Sequence, residues 1–344
     1  MVTAANALDL TIDGPDAIGV LETTAPVVAA ARSVRIVPGA IARAADALQA
    51  RSKGGSLPVP PWDKHYHWYD DSGRAVNVVL LLDALNFCFW ADPGQPRWTL
   101  TYEEEDLDGY WALAAALKRA IEVDGCPLWD ADFLQQIGDD DVESIFHPAG
   151  ASSGRIPMFE TRVANIREVG RVLCERYDGW FGEAIKAADG SAPALVRRVV
   201  SDFPSFDDTA TYDGREVRLY KRAQILVSDL YGAFDGRGWG ALRDLERLTA
   251  FADYKVPQIL RSEGLLEYAP DLAARIDARE PLAPESPEEV EIRAATVWAV
   301  ELLRRALAAR GVTARAFEID WYLWTLAQGR GGMAPYHRTR TVFY

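Results

Sequence analysis

The chain has 344 residues, 49% of them apolar, with eleven Trp, a formal net charge of −14 and a pI near 4.8. Such acidity opposes a phosphate polyanion, whose binding rests on Lys and Arg neutralising its charges, so a long nucleic acid is disfavoured as the main partner. A single phosphorylated small molecule stays open, since a few local Arg residues satisfy one phosphate.

Cys88, Cys126 and Cys174 form neither a CxxC pair nor a Cys/His zinc pattern, and read as reduced, half-buried core residues. No signal segment opens the chain, and no run approaches the roughly 18 to 20 apolar residues of a membrane span. The expectation is a cytoplasmic protein without metal or cofactor, of undetermined oligomeric state.

Residues 1–20 are weakly patterned and read as a poorly ordered start to a single domain over 21–344. From Ala25 to Arg51 an Ala-rich stretch broken at Pro38-Gly39 predicts two short helices. The Pro-rich segment 57–71, LPVPPWDKHYHWYDD, predicts a rigid extended strap; its His65 and His67 either touch a ligand or hydrogen-bond at the surface.

Residues 76–90, VNVVLLLDALNFCFW, are the most apolar run and predict one helix, with Asp83 and Asn86 at i and i+3 on a buried face. A buried amide must find partners, so Asn86 either bridges helices or lines, with Phe87 and Trp90, a pocket for a flat ligand. RWTLTY (97–102) reads as a strand, and the acids from Glu103 as the first turn of a helix carrying Lys118 and Arg119 late. Asp139 to Asp141 read as an N-cap, since the spacing lacks a calcium-loop pattern.

Residues 159–189 are helical. A further helix follows, then an aromatic loop with Phe203, Phe206 and Asp208, a turn at Asp213-Gly214, extended VRLY, and the helix beginning YKRAQ. Residues 241–266 predict one or two helices joined at Val256-Pro257. Ser286 and Glu289 have the spacing of a capping box before a helix reaching about Arg310. A last helix, FEIDWYLWTLAQ, leads to PYHRTRTVFY. About a dozen helices and few strands predict a mainly α fold, a single globule with at most a small strand patch.

The second half gathers Asp208, Asp229, Asp253 and Asp320 with Lys221, Phe206, Tyr254 and Trp321. This is the composition of a site that stacks a planar heterocycle on rings and reads its edge with acids. A carboxylate at the anomeric carbon stabilises an oxocarbenium-like state or activates water. The bland alternative is an interhelix pair of Lys221 with Asp253, Asp320 serving a helix cap, and Trp residues in the core.

LLDALNFCFW, SDFPSFDD, YKRAQILVSDLYG, LTAFADYKVPQIL, EIDWYLW and YHRTRTVFY, in this order, resemble the queuosine salvage protein family over nearly the whole chain. The resemblance implies an all-helical fold similar to helix-hairpin-helix DNA glycosylases, and hydrolysis of the N-glycosidic bond of queuosine 5′-monophosphate to release queuine for tRNA. It implies Asp253 as the water-activating or cation-stabilising carboxylate, with Lys221 orienting it or meeting the phosphate. Asp229 or Asp208, and Asn86, would read the guanine-like edge; Phe87, Trp90, Phe206 and Trp321 would stack. Asp320 would suit the cyclopentenediol arm, and His337, Arg338 and Arg340, with Arg222, the 5′-phosphate. A nucleic-acid base glycosylase and a non-catalytic nucleotide-binding protein are the alternatives.

Overall fold

Gly19 takes a φ of 75°, open to a residue without Cβ, and starts helix α1 (Val20–Ala30). Strand β1 (Val34–Ile36) follows, Val34 and Ile36 inward and Arg35 outward, where a helix was expected. Pro38 opens α2 (Pro38–Arg51) instead of breaking a helix, because a first helical residue needs no N–H partner. The strap beyond leads to α3 (Arg74–Ala84), which stops six residues short of the predicted Trp90. Asn86, Phe87 and Trp90 therefore stand on irregular chain, and Cys88 between them has a φ of 41°.

Strand β2 (Thr99–Tyr102) is where the sequence placed it, but the acids after it do not open a helix. Glu103 and Glu104 form the turn, and β3 (Glu105–Asp108) pairs back in register Thr99 to Asp108. Only then does α4 (Gly109–Glu122) begin. After α5 (Ala131–Gln136), the three acids start α6 (Asp139–Ile145) as expected, Asp141 accepting the Gly138 N–H at 3.0 Å.

Helices α7 (Phe159–Tyr177), α8 (Gly182–Ala187) and α9 (Ala192–Asp202) precede the hairpin of β4 (Thr209–Tyr212) and β5 (Arg215–Arg218). Then come α10 (Lys221–Ala233), α11 (Lys255–Ser262), strand β6 (Leu266–Tyr268), α12 (Pro270–Asp277), α13 (Pro287–Ala308) and α14 (Ala316–Gly329). Pro257 lies inside the first turn of α11 and joins no two helices. Ser286 does precede α13, but its Oγ caps nothing, and Glu289 turns inward, 3.6 Å from Arg293.

The structure is a computed structural model describing residues 8–148 and 153–344, within which fourteen α-helices and three two-stranded sheets bear out the mainly α expectation. The chain divides into two compact units. The first takes the chain up to Pro60, Asp208–Gln224 and Asp244–Arg340; the second takes Pro61–Asp207, Ile225–Arg243 and Thr341–Tyr344. The weakly patterned start lies in part on residues 1–7, outside the described residues; Leu8, Leu10 and Ile12 pack against the first unit's core.

In the first unit α13 is buried along Glu289–Glu301, charged residues included, under α1, α2 and α11. Its buried Glu291 accepts the N–H groups of Arg32, Ser33 and Val34 on one oxygen and the Tyr212 hydroxyl on the other. One carboxylate thus starts the β1–β6 pair (register Val34 to Tyr268) and ties the β4–β5 hairpin to α13. In the second unit α5 lies on α7 at Gly170, where a Cβ would stand 2.2 Å from the Gln135 nitrogen, so no larger residue fits.

Candidate functional site

The segment Thr249–Tyr254 of the first unit has neither α-helix nor strand, so side chains satisfy its backbone. Gln224 of α10 accepts the Thr249 N–H at 2.8 Å, Asp320 of α14 accepts that of Phe251 at 2.9 Å, and Arg293 of α13 donates to the Ala252 carbonyl at 2.9 Å. Asp253 turns Oδ1 onto the first N–H groups of α11, Lys255 at 2.9 Å and Val256 at 2.8 Å. There a carboxylate satisfies orphan donors and meets the positive end of the helix dipole. Among the described residues no hydrogen bond reaches Asp253 Oδ2 or Asp320 Oδ1. Each carboxyl is fastened by one oxygen.

Both carboxyls are buried, Asp253 at 8% exposure and Asp320 at 3%. Burial raises the pKa of Asp253, against the pull of the Lys221 charge, the two backbone N–H groups and Lys255. Burial and then the negative charge of Asp253 push Asp320 well above the usual carboxylate range, so Asp320 holds its proton where Asp253 ionises. Lys221, the first residue of α10, is itself buried and follows Tyr220, whose φ of 49° is a costly backbone turn for a side-chain-bearing residue.

Asp208 also belongs to this unit. Its carboxylate accepts a two-pronged bond from Arg293 at 2.9 and 2.6 Å and the Lys221 N–H at 2.9 Å, which commits both oxygens to protein partners. Arg222 is buried in the first turn of α10. Tyr254 and Tyr336 face each other with ring centroids 4.7 Å apart, and Lys255 and Arg338 stand over the Tyr336 ring at 5.3 and 6.0 Å. Trp321 is half-buried, edge-on to Phe317. Arg340 is half-buried.

The remaining sequence candidates lie in the second unit. Asn86 donates to Asp83 at 3.5 Å; Phe87 is fully buried under the Arg162 guanidinium at 4.3 Å; Trp90 is buried; Phe206 packs edge-on to Phe203 in the core. Asp229 lies 3.2 Å from the Tyr110 hydroxyl, which is 2.8 Å from His67 Nε2. His67 thus belongs to a buried chain of polar groups, stacked on Trp62, and not to the surface. Among the described residues no cluster of His, Cys, Asp and Glu is placed to hold a metal ion, and no helix is long and apolar enough to cross a membrane.

Sequence reading missed Arg293, Gln224 and Tyr110. Arg293 alone carried a signal: with Glu289 and Glu291 it alternates with the apolar Val290, Ile292 and Ala294, where burial demands a partner.

Burial lowers the pKa of His67 to about 4 and of His337 to about 3; Arg293 adds to the second shift. The unfolded chain takes up these protons near pH 6.5 and the folded chain does not. Their contribution is therefore present above pH 6.5 and is lost as pH falls toward 4 and 3. Asp253 and Asp320, with raised pKa values, act in the opposite sense. The expected result is that His67→Gln shrinks the stability difference between pH 7 and pH 5 by about 2 kcal/mol, read by urea unfolding. Equal differences in both proteins would contradict it.

Mainly helical architecture with a buried lysine and two buried carboxyls whose pKa values are both raised is the make-up of proteins that do acid–base work or stabilise a developing cation. The chain belongs to the queuosine salvage protein family, which residues 65–344 match. It is 54% identical to the queuosine 5′-phosphate N-glycosylase/hydrolase of Sphaerobacter thermophilus, over 96% of this chain and 99% of that one. Proteins of the same name from Nematostella vectensis and Bos taurus are 33% and 34% identical over 91% of this chain, and over 94% and 95% of their own lengths.

Proposed function

We propose that the protein hydrolyses the N-glycosidic bond of queuosine 5′-monophosphate, releasing queuine for salvage into tRNA. The observation that carries this reading is Asp253: a carboxylate locked by Oδ1 to a helix N-terminus, with Oδ2 open and Lys221 favouring its charge. The names of the relatives supply the substrate.

As the bond from C1′ to the base nitrogen lengthens, positive charge grows on the sugar and Asp253 stabilises it. Water then adds its oxygen to C1′ and gives a proton to Asp253, while the base leaves with the bonding electron pair and takes a proton from solvent; Asp253 returns its proton to solvent and is a carboxylate again. The products are queuine and ribose 5-phosphate. Asp320, keeping its own proton, spares Asp253 a second negative charge beside it, so one carboxyl of the pair does the ionising.

Arg338 and Arg340 serve the 5′-phosphate. His337, neutral at working pH, offers hydrogen bonds and no charge. Tyr254 supplies an aromatic face.

Incubation with queuosine 5′-monophosphate and with queuosine, followed by chromatography of the free base, tests the reading. The expected result is release of queuine from the nucleotide, faster than from the nucleoside. No release from either, alongside measurable binding, would leave a nucleotide-binding protein.

A further inference from the structure

Lys221 and Asp253 lie on separate stretches of the first unit, and one side chain grips both stretches. Arg293 is 2% exposed and donates through both Nη atoms to Asp208, at 2.9 and 2.6 Å. Asp208 in turn organises the start of α10. Its Oδ2 accepts the Lys221 N–H at 2.9 Å, and its main-chain carbonyl accepts those of Leu219 and Tyr220 at 3.0 and 3.1 Å. The Nε–H of the same guanidinium goes to the carbonyl of Ala252 at 2.9 Å, the residue just before Asp253.

From these contacts we propose that Arg293 is a positioning residue, setting the placement of Lys221 relative to Asp253 for base release. The proposal rests on the reading of Asp253 as the carboxylate of the hydrolase. The geometry calls for arginine. A planar guanidinium reaches a carboxylate with two prongs and a third acceptor with Nε, all in fixed directions, whereas an ammonium is a point charge on a flexible stem. Stability alone gives no reason for such a pair, because buried ion pairs are often replaced by apolar residues without loss.

Displacement of a reacting group by about 1 Å costs on the order of a hundredfold in rate. The charged groups facing Asp253 are Lys221 of α10, Lys255 of α11 and Asp320 of α14. Of these, loss of Arg293 loosens the hold on Lys221, weakening its pull on Asp253.

The experiment measures kcat, KM and the pH profile of kcat/KM for queuine release from queuosine 5′-monophosphate by wild type, Arg293→Lys, and the double variant Asp208→Asn with Arg293→Gln. Rates are expressed per folded molecule by circular dichroism. The double variant removes both charges of the Asp208–Arg293 pair together, so that neither is left without the other; Glu289, 3.6 Å from Arg293, loses that ion pair in both variants that alter the guanidinium, and expressing rates per folded molecule takes account of it. The expected result is a kcat lower by about a hundredfold in both, KM within about threefold of wild type, and an acid limb moved to higher pH. Variants with kcat per folded molecule within about threefold of wild type and an unmoved limb would overturn the proposal while leaving the hydrolase reading intact. A wild type that releases no base would overturn both.

Discussion

Replacing Asp253 with Asn is expected to lower kcat for queuine release about a thousandfold, with the affinity for free queuine unchanged. The substitution is nearly isosteric. The amide oxygen still accepts the N–H groups of Lys255 and Val256, so the start of α11 stays in place. What disappears is the negative charge beside Lys221 and the oxygen able to take a proton from water. An amide does neither task at any pH, so the loss belongs to the chemical step. In the wild type the acid limb of the rate profile is expected to follow ionisation of Asp253, whose pKa burial raises above the ordinary 3.8. The limb is therefore absent from whatever activity the Asn variant retains. Asp320 gives a second readout, because part of its raised pKa comes from the Asp253 charge and falls back when that charge is removed. Base release by the Asn variant at a rate within tenfold of wild type would remove Asp253 from the mechanism.

Local rules carried the sequence reading where the deciding contacts are local. The β4–β5 turn at Asp213-Gly214, the strand at Thr99, the acidic start of α6 and the long α13 were all legible from turn chemistry, alternation and first-turn acids. The reading failed where distant partners decide. Residues 85–90 continue the apolar pattern of α3, yet the helix ends at Ala84 because Arg162 takes the carbonyls of Leu85, Phe87 and Cys88. Glu103 to Asp106 have the composition of a helix start, but pairing of the second strand with Thr99–Tyr102 prevails over that preference. The site was legible in part. The gathering of acids and rings in the second half marked Lys221, Asp253 and Asp320, together with Asp208 and Asp229, as groups needing a reason. Nothing in the spacing showed that Asp208 is committed to Arg293, since that contact spans sequence positions far apart.

Replacing Arg162 with Met is expected to destabilise the protein by about 4 kcal/mol, more than its volume change alone would cost. Arg162 is fully buried on α7, and its guanidinium donates to four main-chain carbonyls: Leu85, Phe87, Cys88 and Pro157. Those carbonyls belong to chain with no helix or strand to satisfy them, and each one left bare inside the protein costs roughly 1 to 3 kcal/mol. The same guanidinium lies on the Phe87 ring, and the stretch it holds includes the φ of 41° at Cys88, whose N–H is taken by the Tyr344 carbonyl at 2.9 Å. Strain of that kind persists only while its surroundings over-determine it. Arg162→Lys keeps the charge but has one nitrogen in place of three, so it recovers less than half of the loss. Urea unfolding of the three proteins measures this directly. Equal midpoints for Met and wild type would show that residues 85–90 hold their path without Arg162, and that the end of α3 is written into the local sequence after all.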